Sequence, residues 1–283
     1  LQQKPDKPLS QWLVVSDIDG TLNSKLRRLP DVNYRAIDRF VNTLGGTFTL
    51  ASGRGVASMR KHYLKLPINN TPAIVLNGSG IYDYGAEKML SFSSLSNPAK
   101  ELALDVLERF PMLEAEIAAK DFIYLVRARF FSPLFVAADK LPHKRVTSLS
   151  EIPDPEWGKL VFMGPSATIS KAVNYIQKQQ YEDACFLSTS VFSYEMMPRN
   201  THKGTAVLKL AEMLGKQQKY TAAIGDYYND YDMLQTVALP AVCKQAPRKM
   251  HEIAKFHAVH CNKGSIADLL KYIEQNYSIK SED

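Results

Sequence analysis

Four short stretches of the chain gather carboxylates, hydroxyls and amines in patterns that could do chemistry. The first is Asp17-Ile18-Asp19-Gly20-Thr21, directly behind the apolar run from Trp12 to Ser16. Two carboxylates two residues apart supply one group for nucleophilic attack and one for proton transfer. Like charges this close repel, so a cation or a cationic side chain is required beside them. Gly20 permits a tight turn whose backbone N–H groups can cradle a phosphate. An acidic turn that only caps a strand would look the same over these five residues. The longer string V-V-S-D-I-D-G-T-L makes the reading specific.

The second stretch is Gly225-Asp226-Tyr227-Tyr228-Asn229-Asp230, also at the end of an apolar run. Only folding could bring its carboxylates to Asp17. Hard oxygen donors of this kind suit Mg²⁺, which takes one or two carboxylates, substrate oxygens and water. Asp230 could also serve simply as the cap of the next helix. The third and fourth stretches are Ala51-Ser52-Gly53-Arg54 and Thr201-His202-Lys203-Gly204. A hydroxyl at a strand end can donate to a phosphoryl oxygen, and a lysine at a helix start can offset its charge. Each of these two, taken alone, reads more readily as structure than as chemistry.

The elements that must position these groups follow from apolar periodicity. Trp12–Ser16, Thr47–Ala51 and Ala73–Leu76 read as strands buried on both faces, separated by helices at 31–44 and 56–66. In the first helix Asp31 stands as N-cap and Gly45-Gly46 as terminator. That alternation predicts a doubly wound parallel sheet, in which ligands bind beyond the carboxyl ends of the strands. After Asn77 the rhythm changes. A hairpin at 81–92 turning at Gly85, a helix behind Asn97-Pro98, and strands at 113–118 and 122–127 follow. The proline-punctuated stretch 131–155 resists assignment. A strand at 159–163, a helix at 167–180 and a strand at 184–189 complete an α+β unit. From about Tyr194 the first rhythm returns, with helices at 204–214, 230–235 and 265–274 and strands at 222–224 and 241–243. The expected organisation is a core of residues 1–85 and 193–283, with a second domain, 86–192, inserted into it.

Lys and Arg exceed Asp and Glu by 35 to 29, a balance of +6, but the basic residues are dispersed; the longest basic run is Lys25-Leu26-Arg27-Arg28. Nucleic-acid binding, which concentrates them on one stripe, is therefore disfavoured. No apolar run approaches the ~20 residues that span a bilayer. The polar start LQQKPDKPLSQ lacks a signal peptide's apolar segment, and three cysteines form no disulfide framework. A cytoplasmic protein, monomeric or a small homo-oligomer, is the expectation. A zinc site from Cys243, His251, His257, His260 and Cys261 lacks the usual paired spacing.

Taken together, the four stretches resemble the haloacid dehalogenase (HAD) superfamily of phosphatases, over roughly residues 13–274. The insertion resembles its type II, subclass B cap, and IVLNGSGIYD (74–83) and IGDYYNDYDML (224–234) resemble the Cof-type branch. The resemblance implies a Rossmann-like core and Mg²⁺-dependent hydrolysis of small phosphorylated metabolites, sugar phosphates foremost, through an aspartyl-phosphate. It implies Asp17 as nucleophile and Asp19 as general acid and base, with a raised pKa in the substrate complex. It makes Ser52 the phosphate-binding hydroxyl and Lys203 the cation beside nucleophile and phosphoryl group. Asp17, the Asp19 carbonyl and Asp226 would hold Mg²⁺, with Asp230 reaching it directly or through water. Gly53, Arg54, Asn77 and Asn229 lie in strings that approach phosphate or substrate. In one departure, Gln245-Ala246 stands where the branch often has Asn-Ala, which weakens any polar role carried to that position. Among possible cap contacts, Arg127, Arg129, His143 and Lys144 read more readily as solvated surface charge than as ligand. A phosphomutase, or a receiver-like module that only accepts a phosphoryl group on Asp17, are the rival readings; P-type pumps are excluded by the lack of spans.

Overall fold

The computed structural model describes residues 7–278 apart from 27, 121, 140, 141, 155 and 180. Arg27 of the basic cluster, Pro155 and the expected helix end at Gln180 lie outside the described residues. In chain order the elements are β1 (Leu13–Ser16), α1 (Asp31–Asp38), β2 (Thr47–Leu50), α2 (Val56–Tyr63), β3 (Ala73–Val75), β4 (Gly80–Asp83) and β5 (Lys88–Phe92). There follow α3 (Asn97–Arg109), β6 (Glu114–Ala118), β7 (Ile123–Val126), α4 (Phe131–Asp139), β8 (His143–Val146), β9 (Lys159–Met163), α5 (Ser166–Lys178), β10 (Ala184–Ser190) and β11 (Ser193–Pro198). The last group is α6 (Lys203–Met213), β12 (Thr221–Gly225), α7 (Tyr231–Thr236), β13 (Leu239–Cys243), α8 (Arg248–His251), β14 (Phe256–Ala258) and α9 (Ser265–Tyr277).

The fold is α/β. Its core is a five-stranded parallel sheet in the order β14-β13-β12-β1-β2. Because side chains alternate across a strand, Val14 joins Phe48, Ile224 and α9 residues on one face, while Leu13 and Val15 join Val207, Leu210 and Met233 on the other. Burial on both faces is why β1 reads as an unbroken apolar run. The sheet reverses direction at β1: the chain goes outward to β2 and returns on the other side at β12. The carboxyl ends of β1 and β12 flank this switch point, where a crevice opens.

Two details differ from the sequence expectation. Asp31 is the first helical residue of α1 rather than its cap, which is Pro30, and a π-helical turn at Arg39–Thr43 carries Phe40 and Val41 into the core. The strand expected third in the parallel sheet, β3, touches that sheet only through the bridge Ala51–Ile74 and pairs instead in an antiparallel β3-β4-β5 sheet. The cause is local. Leu76, Asn77 and Gly78 all take positive φ, which turns the chain straight back into β4.

The cap is a six-stranded sheet in the order β10-β11-β9-β6-β7-β8, antiparallel except for β7 with β8. Ala115, Ile117, Leu160, Phe162 and Met196 pack one face against α3 and α5. The unassigned stretch 131–155 holds α4, β8 and a 3₁₀ turn at Leu149–Glu151. Buried Glu114 satisfies the start of α4 by accepting from the N–H groups of Phe130, Phe131 and Ser132 at 2.8–2.9 Å. Sheet membership shifts the expected boundaries. Residues 88–92 pair with β4, and residues 193–198 fill the middle of the cap sheet between β10 and β9.

Candidate active site

Asp17 is the first residue beyond β1, and its N–H still donates to the Ile224 carbonyl of β12 at 3.0 Å. This fixes its backbone to the neighbouring strand whose own end delivers Asp226. The turn that follows is pinned from several directions. Thr21 Oγ1 donates to Asp226 Oδ1 at 3.3 Å, Ser265 Oγ at the start of α9 donates to the Thr21 carbonyl, and Gln245 Nε2 donates to the Gly20 carbonyl. Gln245 Oε1 in turn accepts from the Cys261 N–H. Gln245, where the sequence departs from the branch, thus ties the turn to Cys261 through both ends of its amide. Gly20 has φ +84°, and a Cβ there would sit 2.3 Å from Asp226 Oδ2. Only glycine fits this close approach.

Lys203 is the first residue of α6 and is wholly buried. Its Nζ donates to Asp17 Oδ1 at 2.7 Å and to Asp230 Oδ1 at 2.6 Å. Asp230 also has no exposure, and its Oδ2 accepts from the N–H groups of Asp226 and Tyr227 at 3.0 and 3.3 Å. Asp230 thus holds both the lysine and the loop that presents Asp226. Carboxylate oxygens of Asp17, Asp226 and Asp230 lie within 4.8 Å of one another. Burial, and after it the repulsion of Asp230, pushes Asp17 up to about 7 against the pull of Lys203; burial and Asp230 likewise push Asp226 up to about 6. Burial alone would lower the Lys203 ammonium, but its two carboxylate partners together outweigh it and raise the group. The cation that the sequence requires beside the paired acids is the internal lysine on Asp17, and the all-oxygen cluster is of a kind that suits a hard divalent ion.

Asp19 is half exposed, and Arg54 grips it with two hydrogen bonds, Nε to Oδ2 at 2.8 Å and Nη2 to Oδ1 at 3.0 Å. Arg54 Nη1 also donates to Ser58 Oγ. Ser52 is buried, and its hydroxyl accepts from the Arg54 N–H at 3.3 Å. Asn77, with φ 54°, donates through Nδ2 to Glu195 Oε2 at 3.1 Å. A cavity of about 520 Å³ collects Asp17, Asp19, Ser52, Gly53, Arg54, Asn77, Asp226 and Asn229 along its walls. Lys203 and Asp230 sit behind that wall. The five residues weighed for zinc do not converge. His251 and His257 pair with each other at the surface, Cys243 is in the core, and the acidic trio is the only such cluster among the described residues.

The cap residues that line the cavity are not the four charges weighed in the sequence. Arg127 and Arg129 donate to the carbonyls of Leu107 and Pro111, and neither they nor His143 and Lys144 line the cavity. Its roof carries Glu116, Lys159 and Glu195 from three adjacent strands. The signal for them was charge carried by strands that are otherwise largely apolar, Glu116 beside Glu114 in β6, Lys159 at the start of β9 and Glu195 in β11. Burial pushes Glu116 up to about 7, Lys159 drawing it down and Glu195 adding to the rise. Between the ordinary glutamate value of 4.5 and about 7, the folded state holds a proton that the unfolded state releases. This residue therefore costs stability as pH rises through that window. Glu116→Gln is expected to melt above the parent at pH 8, by an equivalent of about 1–3 kcal/mol, with the gain shrinking toward zero at pH 5. A gain independent of pH would refute it.

The sequence profile of haloacid dehalogenase-like hydrolases matches residues 14–270. A Streptococcus pyogenes protein named "Putative phosphatase" is 26% identical over 267 residues, covering 93% of this chain and 98% of its own. The HMP-PP phosphatase of Yersinia enterocolitica is 23% identical over 92% of this chain and 94% of its own. Among solved structures, a HAD subclass IIB sugar phosphatase superposes with a TM-score of 0.75 at 16% identity, covering 93% of this chain and 98% of that one. No described helix is long and apolar enough to cross a membrane. The chain belongs to the haloacid dehalogenase-like hydrolases.

Proposed function

We propose that the protein hydrolyses small phosphate monoesters with Mg²⁺ through a phosphoryl group carried on Asp17. The observation that carries this reading is the buried Asp17 carboxylate, held at 2.7 Å by Lys203 and crowded by the oxygens of Asp226 and Asp230. Asp17 and Asp226, with the Asp19 carbonyl, would hold the metal, which would supply positive charge against the phosphoryl oxygens. Asp230 has both oxygens engaged by protein donors, so its contribution is to set Lys203 and the Asp226 loop, and through water at most to reach the ion.

In the first half-reaction an Asp17 oxygen forms a bond to phosphorus as the bond to the ester oxygen breaks, and Asp19 gives that oxygen its proton. In the second, Asp19 takes a proton from water as the water oxygen attacks phosphorus, and the Asp17–phosphorus bond breaks to release phosphate. Positioning and charge do most of the work in such transfers. Lys203 keeps Asp17 oriented, while Ser52, the N–H of Gly53, Asn77 and Asn229 line the place where phosphoryl oxygens would lie. Arg54 grips Asp19 in the free protein. A phosphate that draws off the Arg54 donors would release Asp19 to carry the proton.

The division of labour follows. A core of residues up to 85 and from 193 onward, shifted by the sheet pairing of 88–92 and 193–198, performs the chemistry. The inserted segment closes over the site, excludes water and chooses among small phosphorylated metabolites, sugar phosphates among them. A screen of phosphorylated metabolites with and without Mg²⁺ tests this. Phosphate release is expected with the metal, with at least about 100-fold loss on chelation and recovery on adding Mg²⁺ back. The Mg²⁺ concentration for half-maximal rate should rise as pH falls from 8 to 6, because protons compete with the ion for Asp17 and Asp226. Undiminished release in chelator, or transfer of the phosphoryl group to another hydroxyl of the same sugar without release of phosphate, would overturn the proposal, the latter in favour of a mutase.

A further inference from the structure

Cap and core are joined by polar contacts at the bend Ser52-Gly53-Arg54. Inside the core this bend lies against the segment that follows β3. The Asn77 N–H donates to the Ser52 carbonyl and the Leu76 N–H to the Arg54 carbonyl, both at 2.9 Å. The carbonyl between these two, that of Gly53, accepts from the cap instead: Lys159 Nζ, at the start of β9, donates to it at 3.0 Å. The same ammonium lies 3.3 Å from Glu195 Oε2 on β11, and Glu195 Oε2 accepts from Asn77 Nδ2 at 3.1 Å. Two cap side chains thus hold two core segments, and those segments hold each other.

Lys159 and Glu195 are both buried, so they offset each other's charge and water competes little for their hydrogen bonds. Gly158 lets β9 come this close to the core. A Cβ there would sit 2.7 Å from Phe92 Cε2 and 3.0 Å from Leu76 Cδ1. Gly53 is as tightly placed, since a Cβ on it would lie 3.0 Å from both the nitrogen and the oxygen of the Asn77 amide. The peptide joining Gly53 to Arg54 is held at both ends, its carbonyl by Lys159 and its N–H by Ser52 Oγ at 3.3 Å. A hydroxyl that accepts this N–H keeps its own proton to give, so the orientation of that peptide decides where Ser52 can donate.

We propose that Lys159 and Glu195 are positioning residues for the phosphate site of the core: the cap completes the bend that receives the phosphoryl group as well as roofing the cavity. The proposal rests on the phosphatase reading above, which sets phosphoryl oxygens against Ser52 and the Gly53 N–H. Lys159 acts through the Gly53–Arg54 peptide, and Glu195 through Lys159 and the Asn77 amide. Neither has to touch a ligand. Affinity for the phosphoryl group itself therefore depends on the cap, whatever leaving group is attached. A cap residue that read the leaving group would have no effect on a phosphate that carries none.

The test uses the Mg²⁺-loaded full chain with inorganic phosphate, p-nitrophenyl phosphate and glucose 6-phosphate. Phosphate affinity is read by calorimetry, which needs no turnover, and the two esters by kcat and KM. Lys159→Met is expected to weaken inorganic phosphate at least about tenfold, the worth of a hydrogen bond to a charged group, and to raise KM for both esters by the same factor. The loss should fall on KM more than on kcat, because the bend holds phosphoryl oxygens before and during transfer alike. Glu195→Gln, which keeps an acceptor but not the charge, should weaken all three probes less. Lys159→Met combined with Glu195→Gln strands neither charge of the pair and should fold even where the single variant does not. Its phosphate affinity should remain at least about tenfold below the parent's. Unchanged phosphate affinity in Lys159→Met, with altered KM for the esters alone, overturns the proposal, since Lys159 would then read the leaving group. Recovery of the parent's phosphate affinity in the double variant overturns it too, because the loss would then come from the stranded Glu195 charge. Both results leave the phosphatase reading standing. A parent that binds phosphate but releases none from either ester removes that reading, and calorimetry still decides whether Lys159 sets the phosphate site.

Discussion

Asp17→Asn is expected to reduce phosphate release by at least about 10⁴-fold while the protein remains folded. The amide keeps the size of the side chain but has no anionic oxygen to attack phosphorus, so the covalent route closes. Folding should survive because the substitution removes a charge the interior holds at a cost: burial lifts Asp17 to about 7. The folded carboxyl therefore binds a proton between its ordinary value near 3.8 and about 7 that the unfolded chain does not. Stability contributed by this group is lost as pH rises through that window. Lys203 retains Asp230 as a partner at 2.6 Å, so no ammonium is stranded. The measurements are steady-state phosphate release and thermal melting at pH 8, with Asp19→Asn or Asp19→Ala beside it. The Asp19 variants should slow or accumulate the phosphorylated form on Asp17, which acid quench and mass spectrometry would detect. Full turnover by Asp17→Asn would refute nucleophilic catalysis.

How legible these residues were depended on what surrounds them. Asp17 and Asp226 stood out because each interrupts a run of residues buried on both faces, and a charge at the end of such a run marks the carboxyl edge of a parallel sheet. Lys203 was visible only through the company of the other stretches. Nothing in Thr201-His202-Lys203-Gly204 by itself says that its ammonium is buried between two acids; that depends on α6 packing across the carboxyl ends of β1 and β12. The reversal after β3 was hidden for a different reason. Leu76 and Asn77 adopt positive φ together, a conformation that Leu gives no warning of. Glu116, Lys159 and Glu195 were hidden because alternation in a sheet reveals two faces but not which one is roofed by another domain. That information lies in the pairing register, which joins residues 116, 161 and 195 across 79 positions of chain. Asp230 was assigned to the metal by resemblance. Its oxygens lie in the cluster with those of Asp17 and Asp226 and also accept from an ammonium and two backbone N–H groups, a bracing part that the sequence did not announce.

Lys203→Met should be the more damaging substitution for the fold. Methionine fills much the same volume but leaves Asp17 and Asp230, both buried, facing each other without the cation at 2.7 and 2.6 Å that balances them. Removing one partner from a buried ion pair costs about 3–5 kcal/mol because the remaining charge is uncompensated, and here two carboxylates lose the same partner. Activity should fall by at least about 10³-fold as well. The loss of stability has a predictable pH dependence. The lysine itself titrates far above the working range, its pKa raised by its partners, so between pH 5.5 and 8 the change falls on Asp17, which burial pushes up to about 7. In the variant the proton affinity of Asp17 rises further, and protonating it at low pH removes the repulsion. The deficit in melting temperature relative to the parent should therefore be larger at pH 8 than at pH 5.5. A double substitution separates this cause from lost packing. Lys203→Met combined with Asp17→Asn should be more stable than Lys203→Met alone, with a coupling of about 1–3 kcal/mol, because one of the two stranded charges is gone. Strict additivity at pH 8 would mean that Lys203 does not neutralise Asp17, and that the short contact between them is packing without electrostatic consequence.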